Sequence, residues 1–338
     1  MRRLFLFIAF SLSLPLFATT KYNGKTITAC SDYVRSEAGT ISSSTFKEVS
    51  GLACSRTTPG YLWIEGDEKN DRILAIDEAG NKVMTLKLSN VSREDWEDIC
   101  TGTYNNTKYI FVGAFGDNDL QYANQYYILC IPEPAITKTT TTISNYTLIR
   151  FGFPYNAAHN VETLMYDPIE QMFYIADKIK GSPDTLYSLP MSLNYGSTVQ
   201  QLTYVCTLGA ASDGFNFLTA GDISPDGSLV AIKSKTEILL WTRQGSESLT
   251  TTFTRPPQYI STYQEETQGE AFAWKDNYTF FTTSDDKNDV PLYRYTKPKP
   301  TTSIATPSAP DMGTKFLRNG RILIRRGAET YNLLGQHL

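Results

Sequence analysis

Helical periodicity is scarce in this 338-residue chain. No long heptad or amphipathic run appears, which removes helix bundles and coiled coils from consideration. Histidine is almost missing: of two, one lies in the tail, leaving His159 for the body. There is no GxSxG elbow, HExxH, P-loop, GxGxxG or complete EF-hand loop, so a Ser-His-Asp hydrolase, a zincin and a nucleotide-cradling loop have no footing. The five cysteines, Cys30, Cys54, Cys100, Cys130 and Cys206, show neither zinc-ribbon nor CxxC spacing. Their odd number leaves at least one thiol unpaired, and Cys54 and Cys100 read as buried strand residues. Only one long apolar run exists, Leu4 to Phe17, between Arg2-Arg3 and Ala18. It falls short of the roughly 20 residues of a membrane-spanning helix and has the build of a secretory signal, residues 1–18. No transmembrane segment is expected in the mature chain.

What is present points to strands. Tyrosines (21) and phenylalanines (17) abound, and turn residues recur at short intervals, the composition of an all-β domain. Net charge is −4. Setting aside the two leading arginines, and the five basic residues and one acidic residue beyond Thr314, leaves 24 basic against 34 acidic residues in the body. An acidic body disfavours nucleic acid and anionic membranes and is compatible with divalent cations.

Five short apolar strands share one kind of start: Ser50-Gly-Leu-Ala, Glu97-Asp-Ile-Cys, Glu162-Thr-Leu-Met, Gly221-Asp-Ile-Ser and Glu270-Ala-Phe-Ala. Each is followed by further strands, and the interval suits one four-stranded propeller blade. The pattern predicts a β-propeller over residues 19–296, with five four-stranded blades. Six is the alternative, because Leu120 to Asn160 is long enough to hold further strands. The last blade shows three strands only, and Lys25-Thr-Ile-Thr-Ala-Cys is the expected N-terminal strand that closes the ring. Residues 297–313, rich in Pro, Thr, Ser and Ala, read as a linker. Residues 314–338 read as short strands joined by Gly turns.

Innermost propeller strands surround a central channel, so equivalent starts converge. The aligned set is Ser50, Glu97, Glu162, Gly221 and Glu270, with Glu48, Asp98, Thr219 and Asp222 one or two residues away. Oxygen donors without histidine or thiolate suit Ca²⁺ better than zinc. The expected metal ligands are Ser50, Glu97, Glu162 and Glu270. Lys178 and Lys233, at second-strand ends, are placed to meet an anion beside the metal, and Asp67 and Asp117 sit at comparable ends. A carboxylate such as Glu97 or Glu162 positions water in metal-assisted hydrolysis without any histidine. His159, beside Asn160 and Glu162, is the one imidazole available as a base, though a lone histidine more often serves structure.

Glu48-Val-Ser-Gly-Leu, Asp95-Trp-Glu-Asp-Ile, Gly116-Asp-Asn, Pro132-Glu-Pro, Phe153-Pro-Tyr, Val161-Glu-Thr-Leu, Ser224-Pro-Asp-Gly and Gln268-Gly-Glu-Ala form an ordered series. In it the body resembles an esterase-like, phytase-like group of exported bacterial propellers. More faintly, Ser50, Glu97, Glu162, Glu270, Lys178 and Lys233 resemble the calcium site and basic residues of the calcium-activated nucleotidases (apyrases), five-bladed propellers with a central Ca²⁺. Gly221 departs from that pattern where a serine is expected, with Thr219 nearby. The run Asn319-Gly320…Ile324-Arg325-Arg326-Gly327…Thr330-Tyr331-Asn332…Gly335-Gln336 resembles the C-terminal sorting tags of the Bacteroidota type IX secretion system. That resemblance implies passage through the periplasm and delivery to the outer-membrane surface or the medium.

The resulting expectation is an exported propeller with a Ca²⁺-type channel site that hydrolyses a small anionic phosphoester or related ester. The rival is a cell-surface module that binds a glycan, peptide or protein without catalysis.

Overall fold

The computed structural model describes residues 20–66, 71–91, 95–178, 183–210, 213, 217–299 and 313–338. The signal run, most of the linker and Asp67 lie outside them. The chain divides into two compact units, Met1–Lys297 and Pro298–Leu338.

In the first unit, short runs of Val, Ile, Leu and aromatic residues between Gly, Asn and Asp turns fold into antiparallel sheets. Blade 1 runs Val49–Cys54, Tyr61–Gly66, Arg72–Asp77 and Lys82–Leu88, with Thr141–Ile143 added in parallel at its outer edge. Blade 2 runs Trp96–Tyr104, Thr107–Ala114, Tyr126–Pro132 and Thr147–Gly152, extended by Gln200–Gln201. Blade 3 runs Val161–Asp167, Met172–Asp177, Thr185–Pro190 and Thr203–Thr207. Blade 4 runs Leu218–Ile223, Leu229–Ser234, Ile238–Thr242 and Gln258–Ile260. Blade 5 runs Gly269–Asp276, Thr279–Ser284 and Val290–Thr296, completed by Val34–Ile41. The first strand of each blade neighbours that of the next, and blade 5 returns to blade 1. This closed ring of radially arranged sheets is a β-propeller. Between Leu120 and Asn160 the strands join blades 1 and 2.

Two expected strands are corrected. The ring is closed by Val34–Ile41, whereas Lys25–Thr26 pairs with Lys21–Tyr22, and Ala29–Cys30 lies parallel to Gln258–Ile260 in blade 4. Val34–Ile41 is an outer strand with mostly solvent-facing residues, so its sequence lacks the apolar alternation that marks strands. In sequence, Thr250-Thr-Thr-Phe reads as the fourth strand of blade 4; in the structure it falls at the short helix Leu249–Thr252, which Ser248 caps by accepting from the Thr251 amide at 3.2 Å.

Apolar layers fill the spaces between blades. One joins blades 2 and 3 through Phe111, Phe151, Phe153, Tyr166 and Phe173. Another joins blades 5 and 1 through Leu52, Leu62, Ala273 and Phe281. All five cysteines are free thiols, and burial pushes the Cys54 thiol up to about 12, out of the reactive range. The second unit is a sheet of Thr314–Arg318, Arg321–Arg326 and Glu329–Asn332.

Candidate channel site

Each innermost strand begins with the same irregularity. Register shifts skip one residue in every blade: Ser50, Glu97, Glu162, Thr219 and Glu270. A bulge of this kind re-aims a side chain that regular pleating would send into a sheet face. In blades 1, 4 and 5 the residue two before the bulge, Glu48, Phe217 or Gln268, has positive φ, so a common kink leads into the strand.

The bulge position defines the repeat, and it corrects blade 4. Thr219, and not Gly221, is the equivalent of Ser50. The Thr219 hydroxyl donates to the Gly269 carbonyl at 2.8 Å, much as Ser50 Oγ donates to the Glu97 carbonyl at 3.0 Å. These hydroxyls tie neighbouring blades together, leaving only lone pairs for a ligand. A similar shift applies to the lysines. Lys178 follows Asp177, the partner of Val161, and its counterpart in blade 4 is Lys235, which follows Ser234, the partner of Leu218.

Glu97, Glu162 and Glu270 are each buried and electrostatically coupled around Lys178. Lys178 Nζ lies 3.0 Å from Glu162 Oε1, which also accepts from Asn160 Nδ2 at 2.9 Å. Lys235 Nζ lies 3.4 Å from Glu270 Oε1. Burial and the charges of Glu162, Asp95 and Glu65 hold Glu97 well above the usual carboxylate range. Burial also raises Glu162, with Lys178 pulling it back. For Lys178, burial alone would lower the ammonium, but Glu162, Glu270 and Glu97 outweigh it and raise it.

The remaining candidates are placed elsewhere. Lys233 has no exposed surface; its ammonium donates to the Gly269 carbonyl, 3.8 Å from Glu266 and over the Tyr263 ring. It does not reach an anion in the channel. Asp98 accepts from the Ile99 and Leu164 amides at 2.8 and 2.7 Å, and Asp222 from the Ile223 and Trp274 amides, both at 2.8 Å. Both carboxylates pin one blade's inner strand to the next. Glu48 reaches Lys287 at 3.1 Å. Asp117 accepts from the Gln121 and Tyr122 amides and the Tyr126 hydroxyl, organising its own loop. His159 Nδ1 is 2.8 Å from Asp177 Oδ2, and its ring stacks on Phe153.

Glu65, Asn160, Lys235 and Glu266 join the neighbourhood without having been singled out in the sequence. Glu65 and Lys233 occupy the same second-strand position, opposite Gly51 and Ala220. A charged residue inside an otherwise apolar strand was the available signal for Glu65. Among the described residues, no three His, Cys, Asp or Glu side chains are gathered as a ready metal-ligand set.

No family model and no curated protein matches the sequence. Among solved structures, the soluble aldose sugar dehydrogenase (Asd) from Escherichia coli in its apo form aligns at 8% identity, covering 79% of this chain and 100% of that chain with a TM-score of 0.45. A glucose dehydrogenase aligns at 10% identity, covering 77% of this chain and 99% of that chain with a TM-score of 0.42. Likeness at this level transfers no ligand, cofactor or residue role. The propeller class rests on the chain's own sheets.

Proposed function

We propose that this chain is an exported propeller whose channel mouth holds a divalent cation of the Ca²⁺ type and hydrolyses a phosphoester or related ester. The observation that carries this reading is the arrival of Glu97, Glu162 and Glu270 at the bulges of three inner strands, around Lys178. Three buried carboxylates exceed the two ammonium groups beside them, so a proton or a further cation must balance the charge. The donor set is oxygen only, as a hard cation requires. Glu97, Glu162 and Glu270 would hold the ion, once they draw closer together and Glu162 and Glu270 exchange their lysine partners for it. A bound cation would supply an acidified water and polarise the ester oxygen.

The chain's own groups then have distinct parts. Asn160 orients Glu162 towards Lys178. Burial and the neighbouring Glu162, Asp95 and Glu65 raise the Glu97 carboxyl, a cost that a bound cation would offset. Lys178 and Lys235 meet the anionic oxygens of the ester in the place first given to Lys233. The likeness to the esterase-like, phytase-like propellers and to the calcium-activated nucleotidases belongs to this reading. So does the assignment of residues 314–338 as a sorting tag read by the secretion machinery, with delivery to the cell surface or medium.

Melting the full chain in EDTA, and then with Ca²⁺ or Mg²⁺, tests the ion. A rise specific to Ca²⁺ is expected, larger in Lys178→Met, where the competing ammonium is gone. No shift with either ion removes the site. Turnover on a phosphoester panel is expected to disappear in Glu162→Gln while the variant still melts cooperatively, and retained activity removes the catalytic role. The ion pairs of Glu162 with Lys178 and of Glu270 with Lys235 favour a second reading, a non-catalytic surface module for a glycan, peptide or protein, since these carboxylates have partners without any ion. An ion-induced rise in stability with no hydrolysis of any panel member supports that reading.

A further inference from the structure

The second compact unit is a single layer, in which Thr314–Arg318, Arg321–Arg326 and Glu329–Asn332 pair as one antiparallel sheet. Among its described residues only Leu323 is buried. Three strands hold by themselves only when an apolar face is covered, and so short a piece has too little surface to bury internally. Such a sheet is completed by a surface from outside.

The register sorts its side chains onto two unlike faces. On one, Arg318 lies opposite Arg321, Phe316 opposite Leu323, and Arg325 between Thr314 and Thr330. That face carries three exposed arginines and no carboxylate, and the Arg325 guanidinium stands 4.8 Å from the Phe316 ring centroid. On the other, Leu317 lies opposite Ile322, and Ile324 sits between Lys315 and Tyr331. Leu317 is 71% exposed and Ile322 46%, so this apolar face is open. The one acidic side chain in the three strands, Glu329, shares that second face, opposite Arg326. A nucleic acid or an acidic protein would answer the arginines and leave Leu317, Ile322 and Ile324 in water. A second copy stacked on the apolar side would leave both arginine faces unanswered. An anionic lipid layer answers both at once: its acyl boundary takes up the apolar face, and its phosphates lie at the level of the arginines.

We propose that the second unit binds anionic lipid surfaces, lying flat with Leu317, Ile322 and Ile324 inward and Arg318, Arg321 and Arg325 among the headgroup phosphates. The attraction belongs to this unit, since the body is acidic. It depends neither on a channel cation nor on any role of the segment as a sorting tag. Vesicle sedimentation tests it, using the chain from residue 19 so that the leading apolar run contributes nothing, and EDTA so that no divalent ion bridges the acidic body to lipid. Binding is expected to phosphatidylglycerol mixed into phosphatidylcholine, and not to phosphatidylcholine alone. Arg318→Gln, Arg321→Gln and Arg325→Gln combined should weaken it about a hundredfold. Leu317→Ser with Ile322→Ser should weaken it about tenfold, and the propeller should melt as before in both variants. Inorganic phosphate at matched ionic strength is not expected to compete, because it offers nothing to the apolar face. No sedimentation with the anionic vesicles, equal sedimentation with phosphatidylcholine alone, full binding in either variant, or release by phosphate would overturn the proposal.

Discussion

The Lys233 ammonium sits among the Gly269 carbonyl, Glu266 and the Tyr263 ring, sealed from solvent. Lys233→Met would leave Glu266 buried without its cation, and a loss of about 3 kcal/mol in urea denaturation is expected. Glu266→Gln in the same background should recover part of it. Burial pushes the Lys233 ammonium down to about 8, Glu266 and Glu270 pulling it up. An unfolded lysine titrates near 10.4, so between these values the unfolded chain binds more protons than the folded one. Stability from this group therefore rises with pH over that window. The stability difference between wild type and Lys233→Met should widen from pH 8 to 10; a flat or narrowing difference counts against the assignment.

At the level of the strand, the repeated device is a bulge followed by a cross-blade tie. Asp222 joins blade 4 to blade 5 through two backbone amides, and Asp98 joins blade 2 to blade 3 in the same way. Asp222→Ala strands both donors in the interior and should cost about 2–4 kcal/mol. Asp222→Asn, which can turn only one oxygen to them, should fall between; equal denaturation midpoints for all three would refute the tie. The sequence made the inner strands readable because they are buried along their length and rich in apolar residues. It could not separate Thr219 from Gly221, or Lys235 from Lys233, because a two-residue shift preserves the alternation of a strand. Only the bulge, a backbone feature, distinguishes them. The same burial hid the roles of Asp98 and Asp222, whose type suggested ligands and whose partners turned out to be amides. Glu133, in the Pro-Glu-Pro run, is likewise structural: it accepts from Ser55 Oγ at 2.6 Å and Trp63 Nε1 at 2.9 Å.

For the whole molecule, stability depends on closure. Val34–Ile41 covers the outer strand Val290–Thr296 in blade 5, and Ala29–Cys30 covers Gln258–Ile260 in blade 4. A chain starting at residue 42 exposes both edges and should aggregate or lose its cooperative melt, since open strand edges recruit other strands. A chain ending at residue 297 removes only the second compact unit and should melt as the full chain does. Scanning calorimetry of the two truncations decides the matter, and an intact, monomeric 42–338 fragment would show that closure is dispensable.

That closure also sets a timetable. Thr40 lies opposite Pro291, so one of the earliest strands to leave the ribosome waits for one of the last of the propeller. Pairing at such sequence separation is slow, and blade 5 cannot be completed before Val290–Thr296 has been made. A propeller that postpones its final contact in this way stays an open thread until both edges of the ring are present, and it becomes a closed solid only where they meet.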